Sequence, residues 1–205
     1  MFSTMFKTLK TAFSIRGYQS APNSAFPVRM GSKDSDMFRI AITDDELASG
    51  VSLSDFHAAF LSSPIFQMEL WLLSKFTTID TATTTREHLH QVATGEMSTF
   101  GPWTAWAVEG SRNGQVTSRS DPTSRCQIMR CYIKGKPFCD TWWSVEKQKD
   151  SPYPELVFGT SLKEKSLATN LLDPFHRLYS RLLIASAKVT LIDRLGQLES
   201  TIKKD

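Results

Sequence analysis

The stretch from Asp173 to Leu198 constrains this chain more than any other. Asp173 has the side chain of an N-cap, and Pro174 suits the first helical position, where a missing N–H costs nothing. Phe175, Leu178, Leu182, Ala185, Val189 and Ile192 then recur at spacings of three and four, which places them on one stripe of a helix. At about 1.5 Å per residue such a helix is roughly 35–40 Å long, enough to lie across a whole sheet. Its stripe needs a broad apolar surface to cover, and the residues before it must supply that surface.

They can. In 205 residues, 40% are hydrophobic and 22% charged, which is material for one core in one domain. No run approaches the roughly 18–20 apolar residues that span a bilayer. The formal charge of +3 is unevenly placed. Lys7, Lys10, Arg16, Arg29 and Lys33 precede the first acid, and without these five the rest of the chain carries slightly more acidic than basic residues. Such a body lacks the clustered positive face that phosphate neutralisation requires, so no nucleic-acid partner is expected. Three cysteines, Cys126, Cys131 and Cys139, are too few and odd in number for a disulfide scaffold, and fit a reducing compartment.

Residues 1–18 read as an organelle leader. Phe2, Met5, Phe6, Leu9, Ala12 and Phe13 share one side of a helix whose other side carries Ser3, Lys7, Lys10, Thr11 and Ser14, and there is no acid. Arg16-Gly17-Tyr18 resembles a matrix-processing site, cut after Tyr18. The expected location is mitochondrial, in or facing the matrix, or else a plastid. The alternative is a surface helix lying on a membrane or on the domain itself. Residues 19–36, with Pro22, Pro27 and Gly31, read as a linker, and 37–205 as the domain.

Met37 to Thr43 is a short β-branched run and a first strand. Ser52 can cap a helix bearing Phe56, Ala59 and Phe60, which Ser62-Ser63-Pro64 ends. Pro64 opens a second helix through Phe76, with so little polar surface that it should be largely buried. Arg86 to Thr94 reads as a short helix. Strands follow at Trp103 to Glu109, Gln115 to Ser120 after the hairpin signal Asn113-Gly114, Cys126 to Ile133, Phe138 to Glu146 and Glu155 to Leu162. The fold class is therefore α+β: a curved antiparallel sheet of about five to six strands packed on a long C-terminal helix, with the N-terminal helices closing one end.

That order resembles the helix-grip superfamily of START and polyketide-cyclase-like proteins (SRPBCC). Phe60-Leu61-Ser62-Ser63-Pro64-Ile65-Phe66-Gln67-Met68-Glu69-Leu70-Trp71, Phe158-Gly159-Thr160-Ser161 and Phe175-His176-Arg177-Leu178-Tyr179-Ser180-Arg181-Leu182-Leu183 more narrowly resemble a family of uncharacterised proteins, over about Leu53 to Leu191. The superfamily resemblance implies an apolar cavity between sheet and terminal helix that takes lipids, polyketides, sterols or similar molecules, in carriers, cyclases and assembly factors alike.

Glu69 is the most unusual residue. On a helix its neighbours are Ile65, Phe66, Leu72 and Leu73, so its carboxylate points into apolar surroundings and must be paired or protonated. With His176 it could form an acid/base couple facing a ligand; with Arg177 or Arg181 it could form a structural pair that fixes how two helices dock. Trp106, Tyr132, Trp142, Phe158 and Tyr179 are the candidate ligand-lining residues, with ordinary core packing as the competing reading. Adjacent Trp142 and Trp143 must point to opposite sheet faces. Glu87, His88 and His90 share a face only on a strand, and the cysteine spacing is not that of a zinc site, so no metal is assigned. No nucleotide or haem motif is present, and no cofactor is expected. The leading expectation is noncatalytic binding of a hydrophobic small molecule or lipid. The second is an interaction or assembly subunit of a larger mitochondrial complex. The third is a cyclase, dehydratase or isomerase using Glu69 and His176.

Overall fold

The computed structural model describes residues 2–19, 35–43, 51–76, 91, 99–100, 103–108, 126–133, 136–147, 153–162 and 167–202. The chain is α+β, with an antiparallel sheet on which the C-terminal helix packs. Among the described residues it runs α1 (Phe2–Phe13), β1 (Arg16–Gln19), β2 (Ser35–Ala41), α2 (Leu53–Leu61), α3 (Pro64–Phe76), β3 (Thr99–Phe100), β4 (Trp103–Val108), β5 (Cys126–Ile133), β6 (Lys136–Lys147), β7 (Pro154–Leu162) and α4 (Leu167–Ile202). The strands lie in the order β1-β2-β7-β6-β5-β4-β3. The body of the sheet is its four strands of seven residues or more, β2, β7, β6 and β5.

Among the described residues seven strands pair, five of them expected and two of them short pieces that extend the edges. One is the two-residue β3; the other is β1, inside the segment read as a leader, which pairs Arg16 with Arg39 and Tyr18 with Met37. The expected strand over 115–120, the Asn113-Gly114 turn and the helix over 86–94, apart from Gln91, lie outside the described residues, as do Glu87, His88 and His90.

Period-two alternation sorts the sheet's side chains onto two faces. Phe38, Phe158 and Trp143 stand abreast on β2, β7 and β6, and Ile40, Leu156 and Val145 form the next row. This face meets the helices: Phe60 stacks on Phe158 at 4.8 Å and on Trp143 at 5.3 Å between ring centroids, and the His57 ring lies 4.5 Å from Trp143. The other face carries a smaller buried cluster of Met37, Ile128, Trp142 and Val157. Beside it run the ion pairs of Arg39 with Glu146 and Glu155 and of Arg130 with Asp140.

The α2 N-terminus is closed by a capping box, in which Ser52 accepts from the Asp55 N–H and the Asp55 side chain accepts from the Ser52 N–H. Ser62 then turns the chain, its hydroxyl donating to Ala58 O at 2.7 Å, and Gln67 Nε2 donates back to Leu61 O at 2.7 Å. The turn rests on α4, where the Ile65 N–H donates to Ser186 Oγ at 3.5 Å.

Three expectations about the helices are corrected. α4 spans 36 residues, about 54 Å, and starts at Leu167 rather than at an Asp173 cap. Pro174 sits in its interior, where the helix forgoes one N–H bond and continues. Phe175 and Leu178, read as core-facing, are 70% and 53% exposed, whereas every residue from Leu183 to Val189 is buried. The stripe rule fails at both ends of this comparison because α4 is covered on all sides in its middle and on one side only at its start. α3 is likewise not buried all round: Phe66 and Leu70 are buried, while Met68, Trp71 and Leu72 face outward.

Candidate functional site

The contact of Ile65 with Ser186 fixes where α3 meets α4. Four residues further along α3 stands Glu69, and seven residues back along α4 stands Tyr179, so the two helices run in opposite senses and these side chains meet. The Tyr179 hydroxyl donates to Glu69 Oε2 at 2.5 Å. Burial raises the Glu69 carboxyl above its ordinary 4.5, opposed by the Tyr179 hydrogen bond and by the positive field of His176. The Tyr179 hydroxyl is pushed up in turn, by burial and then by the neighbouring carboxyl. In its protonated form, which burial favours, the carboxyl can accept from the phenol and keep its own O–H as a donor.

Two thiols lie within reach of the same charge. Cys131 of β5 and Cys139 of β6 are direct cross-strand partners on the helix-facing side of the sheet, and both feel Glu69 electrostatically. Cys131, in the core, is pushed up by its hydrogen bond to Cys139 and by burial. Cys139, half-buried, is lowered because Cys131, and then the Thr141 hydroxyl at 3.9 Å, stabilise its charged form. Cys131 is also the register partner of Trp103 on β4, whose ring stands 5.8 Å from Phe66, one turn before Glu69. The site is thus the place where α3 meets α4, with Trp103 of β4, the register partner of Cys131, against Phe66.

His176 and Arg177 turn elsewhere. His176 Nδ1 lies 3.5 Å from Asp36 Oδ2 and Arg177 Nε 3.6 Å from Asp36 Oδ1, tying the early turns of α4 to β2. Glu69 and His176 are therefore close enough to sense each other's charge, but the imidazole is oriented by Asp36. The expected pairing of Glu69 with Arg177 or Arg181 gives way to its bond to Tyr179, a neutral partner, and burial shifts the carboxyl toward its protonated form.

The ligand-lining candidates do not converge. Phe158 is on the helix-facing side, 3% exposed and filled in by Phe60 and Trp143. Trp142 is buried on the opposite face, its indole laid over Gly159 of β7. Tyr132 follows the register shift after Cys131 and is exposed at the surface. The Trp106 side chain lies outside the described residues. The thiol pair went unread in the sequence: the hairpin pairs Ile133 with Lys136 and Tyr132 with Pro137, and it is the register shift between Tyr132 and Cys131 that brings Cys131 opposite Cys139, which turn residues do not reveal. No group of three or more metal-ligating side chains occurs among the described residues. Set against family models, curated proteins and solved structures, the chain matches none.

Proposed function

We propose that the domain is a noncatalytic binder of a hydrophobic small molecule, taken at the end of the sheet where Glu69 and Tyr179 join α3 to α4. In this reading the sheet curves around α4 as in the helix-grip proteins, and α2 and α3 close one end. The observation that carries it is the Glu69–Tyr179 hydrogen bond: an acid whose burial shifts it toward its protonated form, held by a phenol where α3 meets α4. Binding sites for apolar molecules are built this way, from a large hydrophobic lining and a few convergent polar groups that orient the ligand. The pair suits a neutral carbonyl or hydroxyl better than an anion, because a carboxylate on the ligand would leave two acids competing for one proton. Phe175 and Leu178 on α4 and Met68 and Leu72 on α3 supply the apolar margin.

A second reading, an interaction subunit, draws on a different observation. Met68, Trp71, Leu72 and Lys75 share the outer face of α3, and the Lys75 ammonium lies 5.8 Å from the exposed Trp71 ring. Aromatic residues left on a surface beside a filled core are typical anchors of protein contacts.

Native mass spectrometry of the protein from its own cells separates the two. A single copy carrying one apolar compound, lost in Glu69→Gln and Tyr179→Phe together, supports the binder. A stable assembly with other proteins and no small molecule, broken by Trp71→Ser, replaces it with the interaction subunit.

A further inference from the structure

α1 is rotated the wrong way for a helix that serves only the fold. The side it buries is made of Thr8, Ala12 and, past its end, Ile15, with Thr11 half-buried beside them, and this stripe faces the core and α4. Its more apolar side faces water: Met5 is 60%, Phe6 72%, Leu9 39% and Phe13 86% exposed. At about 100° per residue the arc from Met5 through Leu9 and Phe13 to Phe6 covers roughly 100° of the helix. Lys10 and Lys7, both exposed, follow Phe6 around the helix at about 40° and 100° further on. No acid occurs before Asp34. Small residues against α4 let the helix sit close and firm, β1 continues it into the sheet beside β2, and the phenylalanines are left over from folding.

We propose that α1 is an interfacial helix that docks the protein on an anionic lipid surface, with Met5, Phe6, Leu9 and Phe13 at the acyl boundary and Lys7 and Lys10 at the phosphates. The geometry is that of a helix lying in the plane of the interface: a narrow apolar arc, basic residues along one margin and the folded body along the other. Charge selects a lipid rather than an apolar protein groove as the occupant. Lysines directly beside the arc, on a stretch of chain with no acid before Asp34, match a surface that is apolar below and negative above. This inference stands apart from the ligand proposal, since it involves neither Glu69 nor Tyr179.

The test uses the full chain and sedimentation with large unilamellar vesicles of phosphatidylcholine, alone or with about a third phosphatidylserine. The protein is expected to bind the anionic vesicles and to be released by high salt. Phe6→Ser with Phe13→Ser, both at exposed positions, should weaken binding at least about ten-fold without changing the circular dichroism spectrum or the melting temperature. Lys7→Gln with Lys10→Gln should weaken it about thirty-fold on anionic vesicles alone, from roughly five-fold per lysine. Trp71→Ser, on α3, should leave it unchanged. Absence of binding, equal binding to neutral vesicles, or binding indifferent to Phe6 and Phe13 overturns the proposal. So does finding that the protein isolated from its cells begins after Tyr18, in which case α1 is an import signal and the mature protein has no such helix.

Discussion

Replacing Glu69 with Gln tests the buried acid most directly, because it removes the titration and leaves the shape. Burial holds Glu69 protonated in the folded protein to a higher pH than in the unfolded chain, where it ionises near its ordinary 4.5. Between those two values the native state carries the extra proton. The stability that Glu69 contributes is therefore complete below the unfolded value and is lost as pH rises through the folded one. For one proton the loss has a limiting slope of about 1.4 kcal/mol per pH unit. Glu69→Gln keeps an oxygen for the Tyr179 hydroxyl but cannot ionise, so it should match the wild type in acid and become the more stable of the two as pH rises. Groups remote from Glu69 titrate alike in both proteins, so in the acidic range, where Cys131 and Tyr179 stay protonated, the difference between their urea-unfolding free energies reports chiefly on this carboxyl. Tyr179→Phe should cost about 1–3 kcal/mol, the penalty for taking a partner from a buried polar group, and should leave the pH slope in place. Parallel wild-type and Glu69→Gln curves would refute the account, since the carboxyl would then titrate in the fold as it does in water.

Three further perturbations follow from the packing. At Gly159 an added Cβ would fall inside the Trp142 indole, with Nε1 at 2.7 Å, so Gly159→Ala should expel or tilt a buried tryptophan and cost about 4 kcal/mol in chemical denaturation. The same change should cost little once Trp142 is already alanine, and additive losses would exclude the clash. Ser52→Ala removes one half of the α2 capping box and should lower stability by about 1 kcal/mol, whereas Ser54→Ala, two residues on, should cost less. Of the paired thiols, Cys139 should be alkylated before Cys131 by iodoacetamide under native conditions, read by peptide mass, because it is the more exposed and the more easily ionised; the reverse order would contradict the assigned hydrogen bond.

Local chemistry was legible wherever one residue type has one strong preference. Ser52 as a cap, the Ser62-Ser63-Pro64 break, the strands from Cys126 and from Glu155, and the opposite facing of Trp142 and Trp143 all follow from spacing and turn residues. What periodicity could not reveal is which side of an amphipathic helix the rest of the chain would cover. On α1 the apolar arc points to water and the threonine–alanine stripe to the core, and on α4 the stripe from Phe175 onward begins exposed and ends enclosed. Hydrophobic pattern measures what a helix can bury, whereas tertiary contacts decide what it does bury. The Asp173-Pro174 pair misled for a related reason: a cap signal is a local preference worth about 1 kcal/mol, which a helix of 36 residues packed over its middle can override.

The same distinction locates the candidate site. Glu69 stood out in the sequence because an acid among apolar neighbours needs a partner, yet the natural candidates were the charged residues of α4, His176, Arg177 and Arg181. His176 and Arg177 instead hold Asp36, and the least charged option, Tyr179, reaches the acid. Had an arginine made that bond, the site would contain a buried ion pair, ionised and closed to any third group. With tyrosine it contains a carboxyl that burial pushes toward its protonated form, held by a neutral partner. Such a group is costly to a fold that needs only packing, because leucine at position 69 would fill comparable space without the desolvation that raises this carboxyl. On the proposed reading that cost is offset by a bound polar atom where α3 meets α4, and Glu69→Leu tests it: the expected outcome is a more stable protein that no longer carries an apolar compound in native mass spectrometry.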